Sequence, residues 1–356
     1  MYFVCFVVTI ESEVKMKTKP YRFVIQGTGL IAKFHARAIR DIPNAQLAGF
    51  CGRNISKAKE LAKEFNCAAF DSVETALQQA DILCVATASA LHLDGALAAA
   101  KLGKHALVEK PLEITTARID QMIAAHQAAG TRIGCIFQLR HMPVLKYIRA
   151  ALQEGRFGKI TTIGVHVPWW RDQSYYDESS WHGKWELDGG GALMNQAIHM
   201  IDIMLDLFPM PDCVKAVISS VGHGIATEDA AVVALKWQDG AVGMIHGTTS
   251  AWPGNPKRLE IFGTEGALVM VDDKLAQYAF KNPKPEDAEI LKAFGLSTLT
   301  AAGAAAPGAM THDLHTACFK EFIQALDQGD LSDTNALSAR RSVALIEQIY
   351  AQSSLI

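Results

Sequence analysis

The chain of 356 residues has no Cys-x-x-Cys pair, no zinc-ligand spacing and no internal repeat. Its seven cysteines (Cys5, Cys51, Cys67, Cys84, Cys135, Cys213, Cys318) are scattered. An odd number in apolar surroundings reads as reduced core thiols in a cytosolic protein, not as a disulfide framework or a metal centre. A charge excess is also missing: a net charge of −3 provides no basic surface for nucleic acid. The apolar stretch at residues 1–10 is too short to span a membrane. It also lacks the positive leader and small-residue cleavage site of a signal peptide. Met16-Lys17-Thr18-Lys19 looks like a second, ordinary start, so residues 1–18 are expected to form an extension outside the fold. What remains is 49% hydrophobic and 20% charged, the balance of a globular protein, and long enough for two cores.

The first half alternates strand and helix. Residues 21–26 (YRFVIQ) form a short buried-strand pattern that breaks at Gly27-Thr28-Gly29-Leu30-Ile31-Ala32 and passes into a helical pattern. Strand, Gly-x-Gly-x-x-Ala, helix is the context in which a dinucleotide fingerprint has meaning. The glycines permit a tight turn and close approach to pyrophosphate, and the helix N-terminus faces the phosphates. Further strands are expected at 46–51, 81–87, 105–109 and 132–138, with helices between. This predicts an α/β Rossmann domain with a doubly wound parallel sheet over residues 19–138. Ligands bind at the carboxyl ends of such strands. The cofactor positions are therefore read as Gly27, Thr28, Gly29, Leu30, Ile31, Arg53, Thr87, His92, Glu109, Lys110 and Gln138. After the second strand Gly52-Arg53 stands where an acid would hold the ribose of NAD, which leans toward NADP.

Beyond Arg140 the alternation stops. Strands at 159–167, 213–221, 230–237, 241–249, 258–262 and 267–271 predict an α+β domain with an open, largely antiparallel sheet over residues 139–330. Residues 274–311 read as loop, and a closing helix within 331–356 is expected to pack back on the first domain. Four of the six tryptophans crowd residues 168–188, ahead of Gly189-Gly190-Gly191 and a helical pattern bearing Asn195 and His199 four apart. Free N–H groups in that first turn would favour electron-rich groups, and the glycines would let a ligand or another backbone come close. The aromatic segment fits a sugar, whose C–H faces stack on flat rings, or a subunit interface. Substrate contacts are read as Arg140, Arg171, Tyr175, Trp181, Trp185, Asn195 and His199.

Together, Gly27-Thr28-Gly29, Gly103-Lys104-His105 through Glu109-Lys110-Pro111, and Gly189-Gly190-Gly191 through His199 resemble the Gfo/Idh/MocA oxidoreductases. The resemblance runs from Tyr21 to Tyr350, and the segment 170–202 looks most like members acting on sugars or nucleotide-linked sugars. It implies a nicotinamide cofactor, NAD or NADP, between the two domains, a homo-oligomer (dimer or tetramer) built through the second domain's sheet, and catalytic residues at Lys110, Asn195 and His199. His199 would be the base, Lys110 the group stabilising charge on oxygen, and Asn195 the orienting residue. Asn195 stands where many relatives carry Asp, so a carboxylate relay to the histidine is expected to be absent. A non-catalytic nicotinamide-binding sensor and an NAD-dependent glycoside hydrolase would use the same fold.

Overall fold

The computed structural model describes residues 19–296, 311–330 and 334–353; the extension read at residues 1–18 lies outside them. The first domain is built on β1 (Tyr21–Gln26), β2 (Ala45–Cys51), β3 (Ala68–Phe70), β4 (Ile82–Val85), β5 (His105–Glu109) and β6 (Ile133–Ile136). All are parallel, in the order β3-β2-β1-β4-β5-β6. The central strands are short apolar runs buried on both faces, with Phe23, Val24, Ile25 and all of β4 inaccessible, while the edge strand β3 is partly exposed. A parallel sheet of that kind needs helices on both sides, and the crossover helices provide them. The strand order reverses between β1 and β4, which opens a crevice at their carboxyl ends.

The second domain carries β7 (Ile160–Pro168), β8 (Cys213–Ser219), β9 (Ala230–Lys236), β10 (Val242–Thr248), β11 (Arg258–Gly263), β12 (Gly266–Val271) and β13 (Lys274–Phe280), in the order β13-β12-β11-β7-β10-β9-β8. Neighbours are antiparallel except β7 and β10. Alternation decides the faces: Ala231, Val233 and Leu235 of β9 point into the core, under the helix Ile198–Leu207. On the opposite face Val217, Val232, Val242 and Met244 are exposed.

Three boundaries differ from expectation. Residues 274–311 were expected as loop, but 274–280 is the edge strand β13 and Pro285–Phe294 is a helix. A register shift between β12 and β13 puts the buried Leu275 and Tyr278 three residues apart, so the period of two is lost. The helix Asp313–Asp327 falls in the stretch assigned to the second domain, yet it packs on the first. Phe319 lies 5.6 Å from the Phe23 ring, and Tyr21 Oη donates to Asp327 Oδ1 at 3.1 Å. The closing helix Thr334–Ala351 straddles both domains: Arg340 pairs with Asp120 of the first, and Ser342 Oγ donates to Asp202 of the second. Among the described residues no helix is long and apolar enough to cross a membrane.

Candidate active site

The carboxyl ends of the parallel strands carry every position read as cofactor-binding. Gly27 has φ +132°, and a Cβ there would sit 2.2 Å from the Ala86 carbonyl oxygen, so only glycine fits. A Cβ on Gly29 would meet nothing within 4 Å. The helix Leu30–Arg40 that follows has neither a side-chain cap nor an acid in its first turn. Its N–H groups and positive dipole end therefore face open space, bordered by Thr28, the half-exposed Leu30 and Ile31. Such an uncapped helix start forms an open cradle that can receive an anionic group. Gly52 abuts Thr28 and sets the exposed Arg53 beside this loop.

Further along the edge, His92 is buried between two carbonyl oxygens, Pro111 O at 2.9 Å from Nδ1 and Thr87 O at 3.2 Å from Nε2. Burial lowers its pKa and keeps it neutral. Neutral, the ring has one N–H to donate, and the shorter contact, to the Pro111 carbonyl, ties it to the turn after β5. Glu109 is likewise internal: Oε1 lies 2.8 Å from His35 Nε2 and Oε2 accepts the Lys110 N–H at 2.9 Å. Burial pushes its carboxyl up, but the His35 bond and charge outweigh that and hold it at about 2. His315 brings a third donor within 4.8 Å. Two ligands of one tetrahedral zinc stand about 3.3 Å apart, so the His35–Glu109 contact is a hydrogen bond rather than half of a metal site. Gln138, just after β6, is buried with Oε1 unpartnered.

The glycine run leads into a π-helical turn, Ala192–Ala197, and then the helix Ile198–Leu207. Its first N–H groups are not open to a ligand, contrary to expectation. The buried Glu228 carboxylate accepts Gly191 N–H at 2.9 Å, Leu193 N–H at 2.8 Å and Tyr350 O–H at 2.9 Å, while the Glu228 carbonyl accepts Ala192 N–H at 2.9 Å. A Cβ on Gly191 would lie 1.9 Å from that carbonyl oxygen, so of ligand and backbone it is backbone that comes close.

Lys110, Asn195 and His199 converge between the domains. Lys110 Nζ donates to the Asn195 carbonyl at 2.7 Å. Burial lowers the Lys110 pKa, opposed by the charges of Glu109 and Asp188. His199 packs edge-on against Phe137, its Nδ1 buried without a partner, so its other nitrogen is the one available to the cleft. Burial, then the Lys110 charge, lower His199 well below its ordinary value. Around them runs a network that joins the expected Arg171, Tyr175 and Asn195 to Asp188 and Gln196, which sequence reading did not single out. Asn195 Nδ2 donates to Asp188 Oδ1 at 2.8 Å, and Gln196 Nε2 donates to Tyr175 Oη at 3.0 Å and to Asn195 Oδ1 at 3.3 Å. Arg171 Nη2 donates to Gln196 Oε1 at 3.0 Å, and Tyr175 stacks on His182 at 4.2 Å. The carboxylate of Asp188 thus reaches Asn195, not His199.

Two expected substrate residues lie elsewhere in function. Arg140 grips Asp202 with Nε and Nη2 at 2.6 and 2.5 Å and donates from Nη1 to Ser338 Oγ at 2.7 Å, which anchors the closing helix. Three of its five N–H donors go to internal acceptors, so the side chain is fixed in place as a structural tie. Trp185 donates to the Ala226 carbonyl at 2.9 Å and packs edge-on against Tyr350 at 5.0 Å, so it braces the glycine run. Trp181 lies against His182 at 4.0 Å and remains partly accessible beside Tyr175.

Two family models match the chain: an oxidoreductase family with an NAD-binding Rossmann fold over residues 21–137, and the GFO/IDH/MocA C-terminal domain over 145–269. Among solved structures, the WlbA dehydrogenase of Bordetella pertussis in complex with NADH and UDP-GlcNAcA is 30% identical, with a TM-score of 0.85 over 95% of this chain and 96% of that one. An uncharacterized oxidoreductase of Synechocystis is 28% identical over 71% of this chain and 72% of its own length. Glucose-6-phosphate 3-dehydrogenase of Bacillus subtilis is 26% identical over 58% of this chain and 59% of its own length.

Proposed function

Because this chain belongs to the Gfo/Idh/MocA family of NAD-binding oxidoreductases, we propose that it moves a hydride between a nicotinamide dinucleotide and a secondary alcohol of a sugar, with a nucleotide-linked sugar as the first substrate to try. The observation that carries the reading is the meeting of Lys110, from the end of β5, with Asn195 and His199, from the second domain, at the same carboxyl edge of the sheet as the open cradle at Gly27–Ile31. The cradle suits the dinucleotide: an uncapped helix end for its phosphates and a glycine on which a Cβ would meet nothing within 4 Å. When bound, that cofactor supplies the redox chemistry.

The protein's own residues handle the proton and the oxygen. A hydroxyl gives up hydride from its carbon only as its proton leaves, so a base must stand by. His199 is kept unprotonated at neutral pH by burial and by Lys110, and takes that proton. Lys110 donates to the same oxygen and stabilises negative charge as it develops. Asn195 cannot take a proton at neutral pH and orients the hydroxyl through its side-chain oxygen. Arg171, Gln196, Tyr175 and Trp181 form the wall on which the sugar rests. UDP-sugars are favoured because the WlbA dehydrogenase, 30% identical over nearly the whole chain, was crystallised with UDP-GlcNAcA.

Arg53, exposed beside Thr28 with no acid at its position, favours NADP over NAD. The exposed Val217, Val232, Val242 and Met244 on the outer face of the second sheet support a homo-oligomer formed there. The test is a panel of sugars, polyols and UDP-sugars assayed for reduced nicotinamide and for product. Net reduction matched by one oxidised sugar is expected. Glycoside cleavage without net reduction would replace this reading with the NAD-dependent hydrolase, and absence of turnover with bound cofactor would replace it with the sensor.

A further inference from the structure

One buried carboxylate at the domain junction has no part in the reaction set out above. Asp188 is 1% exposed and immediately precedes the three glycines. Oδ2 accepts the Gly183 N–H at 3.0 Å, and Oδ1 accepts from Asn195 Nδ2 at 2.8 Å. The two ends of an amide are nearly alike in shape, so partners alone decide which end points where. A carboxylate can only accept. Facing Asp188, Asn195 must present its nitrogen, which leaves Oδ1 turned the other way as an acceptor; there Gln196 Nε2 approaches at 3.3 Å. The charged and titratable groups that face Asp188 are Lys110, Glu228, Tyr175, Tyr176 and Tyr350, and among them Lys110 is the cation. Lys110 in turn holds the main-chain carbonyl of Asn195. Asp188 therefore touches one member of the catalytic group and provides counter-charge to another.

We propose that Asp188 is a positioning residue of the reaction site: it locks the Asn195 amide with its oxygen outward and helps to keep Lys110 an ammonium. This rests on the roles given above to Lys110 and Asn195. Stability alone does not account for a carboxylate here. Burial pushes its carboxyl up to about 7, against the Gly183 and Asn195 bonds and the Lys110 charge. With the folded value above the ordinary 3.8, the unfolded chain releases the proton first as pH rises, so Asp188 weakens the fold across that window and goes on doing so above it. An amide in its place is free of that cost.

The experiment is Asp188→Asn, alone and combined with Asn195→Asp, which restores an amide–carboxylate contact with its polarity reversed. Asp188→Asn is expected to lower kcat roughly 10- to 100-fold, as loss of an orienting partner does, with cofactor KM changed less than about twofold. Its melting temperature at pH 8 is expected to equal or exceed that of the wild type. The double variant is expected to regain about tenfold of the lost kcat. A single variant within about threefold of wild-type kcat, or a double variant no faster than the single, overturns the proposal. So does a fall in melting temperature that accounts for the lost activity. A wild-type protein inactive on every sugar tested would instead count against the function itself. The lock is then read without turnover, from the pH dependence of Lys110 labelling by an amine reagent followed by mass spectrometry. The lysine pKa should fall in Asp188→Asn; an unchanged value overturns the proposal.

Discussion

Two glycine-rich turns lead into helices in this chain, and the two helix starts are finished differently. After Gly27-Thr28-Gly29 the first turn has no side-chain cap, no acid, and nothing within 4 Å of where a Gly29 Cβ would be. After Gly189-Gly190-Gly191 three consecutive N–H groups are held by Glu228, through its carboxylate and its own carbonyl. In the first turn small residues leave room for something that arrives from outside. In the second they admit the protein's own backbone, and the helix behind them is clamped so that Asn195 and His199 keep their places. The dipole and the free donors are the same resource in both. One start offers them to a ligand, and the other consumes them internally.

The largest effect expected from this difference is on the glycines themselves. Gly191→Ala would drive a Cβ to 1.9 Å from the Glu228 carbonyl oxygen, so it should cost more than about 4 kcal/mol and abolish the folded protein. Gly29→Ala, at φ −79° with open space around it, should change stability by less than about 1 kcal/mol while raising cofactor Kd about tenfold. Urea melts and cofactor titrations on both variants check the pair; similar stability losses in the two would erase the distinction.

Next in size are the groups that the clamped helix and the end of β5 present. His199→Ala and Lys110→Ala should each lower kcat about a hundredfold or more, while His199→Ala leaves cofactor Kd within about twofold. Steady-state kinetics beside equilibrium titration separates the two readouts, and near-normal turnover in both variants would remove these residues from the mechanism.

On the open side, Arg53→Ala should lower the NADP-to-NAD ratio of kcat/KM about tenfold, the loss of one charge-assisted contact. An unchanged ratio would mean that the arginine does not meet the ribose phosphate.

The clamp also imposes a pH dependence, spread over more than two pH units. Burial raises the Glu228 carboxyl from 4.5 to about 7 despite the bonds it accepts. Between those values the unfolded chain has lost its proton and the folded chain has not. Stability should therefore fall as pH rises through that window, by at most about 1.4 kcal/mol per pH unit, and level off above it. Glu228→Gln should lessen that slope, leaving the part that Asp188 contributes over the same window, and an unchanged slope would show that Glu228 is not among the groups that titrate.

Much of this was legible in the amino-acid order. Five strands of the parallel sheet were, because they are short apolar runs and several end in residues with distinctive chemistry, such as Gly27 and Glu109-Lys110; the three-residue edge strand β3, partly exposed, was not. Lys110, Asn195 and His199 were singled out from a strand end and a glycine run, and the fold brings them together. The clamp was not legible, since Glu228 precedes β9 and Tyr350 closes the chain; only the tertiary fold brings them to Gly191. Asp188 was not singled out, and its bond to Asn195 depends on how the glycine turn winds into a π-helical one. Arg140 sits at the domain boundary as a substrate residue would, but Asp202, on a helix far along the chain, claims it. The two cradles look alike as glycine-x-glycine strings because what distinguishes them is the residue packed against each.

The central claim is direct hydride transfer at the Lys110–Asn195–His199 group, and a sugar deuterated at its carbinol carbon tests it. Incubated with the protein and oxidised cofactor, that sugar should yield reduced nicotinamide carrying one deuterium per oxidised sugar, with the transfer lost in His199→Ala. Deuterium released to solvent, or sugar consumed with no reduced nicotinamide formed, would contradict the account.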